Sequence, residues 1–173
     1  SKKIVVNVVD EITGKFSDTV FWKIDPYSKI LTVYGSGAIP KYQYTQLSAW
    51  RSYINDLVIE DGITEIGDRS FCMLYNLETV SISGSVTTVG ANAFSYCREI
   101  KAVTLPPSVK TIGVAVFMMC SNLESICLPD GLSEIPNNLF TGCKNLKSVA
   151  LPESIMTMGK YAFEGCSLLD NVS

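Results

Sequence analysis

From Ile54 onward the apolar positions of this chain return in one fixed order. Four segments, Leu77 to Ile82, Ile100 to Leu105, Leu123 to Leu128 and Leu146 to Leu151, share the form L-x-x-L-x-L. Their last three positions alternate in, out, in, which is the period of a strand with one buried face. An earlier copy stands at Ile54, Leu57 and Ile59, and a sixth begins at Leu169 and Val172. A turn follows each strand, Pro106-Pro107-Ser108, Pro129-Asp130-Gly131 or Pro152-Glu153-Ser154, with Ser83-Gly84-Ser85 in the second copy. Proline has no N–H for a ladder and ends the strand. A second apolar pair comes next, such as Val86 and Val89 or Val109 and Ile112, usually followed by glycine, as at Gly67, Gly90, Gly113 and Gly159. The glycine is read as the point where the backbone bends into the returning segment. In the fourth unit Pro136 holds that slot, which predicts an irregularity over residues 135–138. The returning segment spaces its apolar residues by three, as a short helix or 3₁₀ turn would.

The whole pattern has a period of 23 residues, marked by Phe71, Phe94, Phe117, Phe140 and Phe163 and by Cys97, Cys120, Cys143 and Cys166. A unit of that length cannot bury its own apolar face and must stack on copies of itself. The predicted fold is a strand-dominated α/β solenoid, with a parallel sheet on its concave side and short helices or 3₁₀ turns on its convex side. Residues 54–173 supply five coils and the start of a sixth strand. Residues 1–53 read as a β-rich cap, with strands at Phe21–Ile24 and Ile30–Tyr34 across an Asp25-Pro26-Tyr27-Ser28 turn. Charge changes at the same place: residues 1–56 hold seven Lys/Arg against five Asp/Glu, and residues 57–173 hold seven against twelve.

The consensus L-x-x-L-x-L-P-x-S-V-x-x-I-G-x-x-A-F-x-x-C-x-x-L resembles the BspA-like leucine-rich repeats of bacterial and protist surface proteins. The front segment is similar to that family's amino-terminal part in Gly14, Trp22-Lys23-Ile24, Leu31-Thr32-Val33, Gly35-Ser36-Gly37 and Trp50. The resemblance implies an exported protein at the cell surface, a non-catalytic role in adhesion, and a host or neighbouring-cell protein as partner.

Composition narrows the chemistry. The chain has no histidine, which removes Ser-His and Cys-His nucleophile pairs and histidine metal sites. Gly35-Ser36-Gly37 lacks the third glycine and the Lys-Ser/Thr of phosphate-cradling loops. Paired carboxylates such as Glu60 with Asp61 fall on turns with no pocket implied. Neither an enzyme nor a cofactor is predicted. A net charge of −3 without basic-aromatic runs argues against nucleic acid. Apolar runs such as Ile4 to Val9 fall short of the roughly 18 residues of a membrane span.

The four cysteines in phase read as buried thiols rather than disulfide or zinc ligands, because the same slot holds Leu74 in an earlier copy. Helical returning segments would also lie ~8 to 10 Å apart, beyond disulfide reach. Cys72 is read as a partly exposed convex position and Cys127 as an outward strand position. The candidate binding surface is the concave face, with the small columns Thr79, Ala102, Ser125, Ser148 and Ser81, Thr104, Cys127, Ala150. Five strands at ~4.8 Å span only ~20 to 25 Å, so rims or cap must add area to reach the ~800 Å² of a standard partner surface. Tyr42, Tyr44, Trp50 and Tyr53 form a candidate cap surface. Glu78, Lys101, Glu124, Lys147 and Asp170 alternate in sign along one column, as a register-setting ladder would. The uncapped strand at Leu169 and Val172 leaves an edge that further coils or a terminal domain would cover, or through which a homodimer could form.

Overall fold

A computed structural model describes residues 11–172 of the chain; the apolar run from Ile4 to Val9 and the terminal Ser173 lie outside the described residues. Fifteen strands follow in order: β1 (Ile12–Lys15), β2 (Val20–Ile24), β3 (Ile30–Gly35), β4 (Gly37–Ile39), β5 (Asp56–Ile59), β6 (Ile63–Ile66), β7 (Thr79–Ile82), β8 (Thr88–Val89), β9 (Ala102–Thr104), β10 (Thr111–Ile112), β11 (Ser125–Cys127), β12 (Glu134–Ile135), β13 (Ser148–Ala150), β14 (Thr157–Met158) and β15 (Asn171–Val172). The L-x-x-L-x-L segments become β5, β7, β9, β11 and β13; β5 pairs in parallel with β7, and β9, β11 and β13 pair in turn, each residue beside its copy 23 positions on, as Ser125 lies beside Ala102 and Ser148, while β7 and β9 lie adjacent in two separate sheets. The second apolar pair is itself a strand in every coil. Thus β4, β6, β8 and β10 make one parallel sheet, and β12 with β14 another.

Those two sheets separate at Pro136. Elsewhere the residue in that slot donates its N–H to the coil before, as Gly90 does to Ile66 O at 2.7 Å, Gly113 to Val89 O at 2.8 Å and Gly159 to Ile135 O at 2.7 Å. Proline has no such proton, so the ladder breaks between β10 and β12. The expected irregularity is therefore a lost hydrogen bond. The glycines of the slot have a different reason from the bend expected of them, since they are absent from the positive-φ positions. A Cβ on Gly90 would stand 2.6 Å from Asp68 N in the preceding coil. Close approach of two backbones, and not left-handed freedom, requires glycine there.

The convex face takes the second of the two expected forms, 3₁₀ turns and not short helices. The returning segments are chains of i to i+3 turns, such as Cys120 N to Phe117 O at 3.1 Å, and the 3₁₀ helices lie at Gln43–Thr45 and Ser48–Trp50 in the front segment. Between coils these turns form a third ladder: Asn92, Phe94 and Tyr96 donate to Val114, Met118 and Val116 carbonyls of the next coil, in the pairs Asn92 to Val114, Phe94 to Val116 and Tyr96 to Met118. Donors alternate because two residues per coil are left-handed. Arg69, Asn92, Ala115, Asn138 and Tyr161 have φ of 53 to 60°, and Met73, Tyr96, Met119, Gly142 and Gly165 have φ of 63 to 75°. Asn and Gly occupy those slots at little cost; the bulkier residues are held there by the ladder at a cost of about 1 kcal/mol each.

Inside the stack, successive phenylalanines from Phe71 to Phe163 lie parallel with ring centroids 5.5 to 6.0 Å apart. Phe16 closes the row edge-on, 6.4 Å from Phe71. The front segment is bound to the repeats by backbone as well. β1, β2 and β3 are antiparallel, and β3 then pairs in parallel with β5, setting Leu31 beside Leu57 and Val33 beside Ile59. The Asp25 turn forms as the sequence implies, its Oδ1 accepting Tyr27 N at 2.8 Å and Ser28 N at 3.3 Å.

Candidate functional site

The concave face is built by strand parity. Leu57, Val80, Val103, Ile126 and Val149 point into the core from β5, β7, β9, β11 and β13, and the alternate positions point out. Thr79, Ser81, Ala102, Thr104, Ser125, Cys127 and Ala150 are exposed and Ser148 half-buried, so the structure brings all eight onto one surface. Asp56 accepts the Thr79 hydroxyl at its front edge. Beyond it the face continues onto β3 and β2, where Phe21 and Tyr34 stack at 5.7 Å and Lys23 pairs with Glu11 at 3.1 Å. Nine strands thus lie side by side, about 38 Å across at ~4.8 Å per strand. The sequence reading missed Phe21, Tyr34 and Lys23. The alternation Val20-Phe21-Trp22-Lys23-Ile24, with Val20, Trp22 and Ile24 buried, carries the signal that Phe21 and Lys23 face outward.

The four residues of the expected cap surface do not form one patch. Trp50 and Tyr53 pack edge-on at 5.7 Å against the core, and the Tyr53 hydroxyl donates to Pro26 O. Tyr42 is 51% exposed and stacks under Arg69, 5.9 Å from its guanidinium. Tyr44 lies under Arg51 at 5.5 Å. Of the alternating charge column, Lys147 and Glu124 form an ion pair at 2.7 Å, and the Lys147 hydrogen bond holds the Glu124 carboxyl below its ordinary range.

The cysteine ladder has a specific partner. Each thiol reaches back one coil to a phenylalanine carbonyl: Cys97 to Phe71 at 3.2 Å, Cys120 to Phe94 at 3.3 Å, Cys143 to Phe117 at 3.1 Å and Cys166 to Phe140 at 3.2 Å. All six cysteines are free. Burial pushes the Cys97, Cys120 and Cys143 thiols far above their ordinary value. The spacing argument against disulfides needs correction, because the turns stack at sheet-like distances, with neighbouring phenylalanines within 6.0 Å. What occupies the thiols is the carbonyl of the coil before. Cys72 also departs from expectation: it is 3% exposed, and burial raises its thiol against the opposing pull of Arg51 and Arg69. Cys127 is exposed, as its outward position implies.

The convex face holds a hollow of about 270 Å³ between the turns of the first coils. No group of histidine, cysteine or carboxylate side chains that could hold a metal ion is present among the described residues. No helix among them is long and apolar enough to cross a membrane.

Parallel strands in register, three backbone ladders and an outward face of small side chains define a leucine-rich-repeat solenoid. The model of the BspA type leucine rich repeat region matches residues 39–170 in six copies, and the chain belongs to that family. No curated protein matches it. Among solved structures, a leucine-rich repeat protein from Eubacterium ventriosum is 26% identical with a TM-score of 0.83, covering 94% of this chain and 44% of that one. One from Bacteroides ovatus is 22% identical, with a TM-score of 0.68 and coverage of 91% and 52%. The pneumococcal vaccine antigen PcpA is 16% identical, with a TM-score of 0.59 and coverage of 93% and 48%. This chain therefore spans about half the length of these structures. The latter two show the fold alone.

Proposed function

We propose that the chain is a non-catalytic protein-binding module of an exported surface protein, acting in adhesion to host or neighbouring-cell proteins. The observation that carries this reading is the concave face: two columns of small outward side chains, from Thr79 and Ser81 to Ser148 and Ala150, continued without a rim onto the aromatic pair Phe21 and Tyr34. Small residues leave backbone and hydroxyl groups within reach of a partner, and the aromatics at one end supply the anchor that such interfaces need. Family membership supports protein binding, and the chain holds no histidine for most hydrolytic mechanisms.

The test is a binding screen by interferometry, with this chain immobilised and a panel of extracellular-matrix and cell-surface proteins in solution. Any partner found is then measured on Ala102→Arg and Ser125→Arg, neighbours on the exposed face. Each substitution is expected to weaken binding at least about tenfold while changing stability by less than about 0.5 kcal/mol. Binding that survives both substitutions contradicts the assignment of this face.

A second reading, self-association, rests on the last coil. Met156 is 81% exposed, Met158 56% and Val172 42%, around the half-buried Phe163, Cys166 and Leu169. Among the described residues β15 pairs with β13 alone, and its other edge is one that a further coil or a second copy would cover. Sedimentation over a concentration series is then expected to show a dimer that Val172→Lys abolishes; a monomer throughout counts against it.

A further inference from the structure

The chain has three arginines, and each of them stacks on a tyrosine: Arg51 on Tyr44 at 5.5 Å, Arg69 on Tyr42 at 5.9 Å and Arg98 on Tyr75 at 5.5 Å. All three pairs belong to the front segment and the turns of the first coils. The first two pairs border the convex hollow of about 270 Å³, lined by Tyr44, Arg69, Cys72, Met73, Tyr96 and Met118 among others. Three features set it apart from the rest of a molecule with net charge −3. Its lining holds no carboxylate. Arg69 lines it and Arg51 stacks on Tyr44, which also lines it, so two cations border it. The Nε of Arg51 is buried and has no hydrogen-bond acceptor among the described residues.

Arginine, tyrosine and methionine are the residue types enriched where proteins dock, and a guanidinium fixed on an aromatic ring loses little freedom on pairing with a carboxylate. We propose that this hollow docks an acidic segment of a protein partner, with an apolar side chain seated among Met73, Met118 and Tyr96 and a neighbouring carboxylate on Arg69 and Arg51. A sulfated polysaccharide fits less well. Such a polymer needs a run of cations along its length, whereas residues 57–173 carry twelve acidic side chains against seven basic ones. The site is distinct from the concave face and does not depend on a partner being held there.

Methionine methyl groups report on it directly. The chain has five methionines, of which Met73 and Met118 line the hollow, while Met156 and Met158 are exposed in the last coil and serve as internal references. The chain labelled with ¹³C-methyl methionine is titrated with a dodecapeptide alternating Asp/Glu with Leu/Phe, with the same peptide carrying Asn/Gln in place of the acids, and with a heparin fragment. The proposal expects the acidic peptide to move the Met73 and Met118 signals and leave Met156 and Met158 in place. The neutral peptide should move none of them. Arg69→Gln should weaken the acidic peptide on the order of tenfold. Arg69 is exposed and its N–H bond to Ala91 O at 2.9 Å is backbone, so the variant keeps its coil; Arg51→Gln repeats the comparison. The proposal is overturned if millimolar acidic peptide moves neither signal, if the neutral peptide acts equally, if heparin acts and the peptide does not, or if both variants bind like the parent.

Discussion

The cysteine at each 23rd position shows how much one side chain can be asked to do in a stack. It fills the space beside phenylalanine as a small hydrophobe, and its thiol donates to the phenylalanine carbonyl of the coil before. Because burial raises the thiols of Cys97, Cys120 and Cys143 above their ordinary 9.0, the unfolded chain loses those protons first as pH rises. The stability they contribute is complete below pH 9 and is lost above it, by about 1.4 kcal/mol per pH unit per thiol. Cys120→Ser keeps a donor for Phe94 O and removes one ionisation. Urea melts between pH 8 and 10.5 are therefore expected to show, above pH 9, a pH slope about 1.4 kcal/mol per unit shallower for this variant than for the parent. Equal slopes would contradict the assignment of Cys120 as a buried neutral thiol. Leu74 made the apolar nature of this slot legible in sequence. The carbonyl partner was not legible, because nothing in a one-dimensional pattern says that a thiol three residues after Phe94 reaches back to Phe71.

At the scale of elements, the recurring glycine was legible and its reason was not. A glycine before a bend suggests positive φ, but positive φ falls on other residues, such as Asn92 and Tyr96, whose chemistry gave no sign of it. The glycine is required by the neighbouring coil. Gly90→Ala places a Cβ 2.6 Å from Asp68 N, a backbone atom that cannot step aside alone. The substitution is expected to destabilise by about 1 to 3 kcal/mol in equilibrium unfolding, although alanine is usually the better residue in a chain interior. A neutral or stabilising effect would show that the coils are not so closely apposed. Pro136 was legible as the site of an irregularity but not in its reason, since the expectation rested on the bend, whereas what breaks the ladder there is the N–H that proline lacks.

Across the whole molecule, the period specified the stack, and the strand alternation specified its outward columns. The ways the front segment joins the stack lay beyond both. Tyr75 and Arg98 stand one period apart and could have been paired by counting, but Tyr42 and Arg69 are 27 residues apart, because the front segment does not keep the 23-residue register. For the same reason Phe16, at the head of the phenylalanine row, gave no signal. Its contact with Phe71, together with the pairing of β3 and β5, ties the front segment to the repeats through both core and backbone. The structure accordingly predicts one cooperative unit. Both tryptophans, Trp22 and Trp50, belong to the front segment, and the fully buried thiols Cys97, Cys120 and Cys143 belong to the coils, so each part carries its own reporter. A single guanidinium titration that follows tryptophan fluorescence and thiol labelling in the same samples tests the account most directly. Coincident midpoints, with these three thiols unreactive before the transition, are the predicted result. Separate midpoints, or labelling of the three thiols in the native protein, would contradict it.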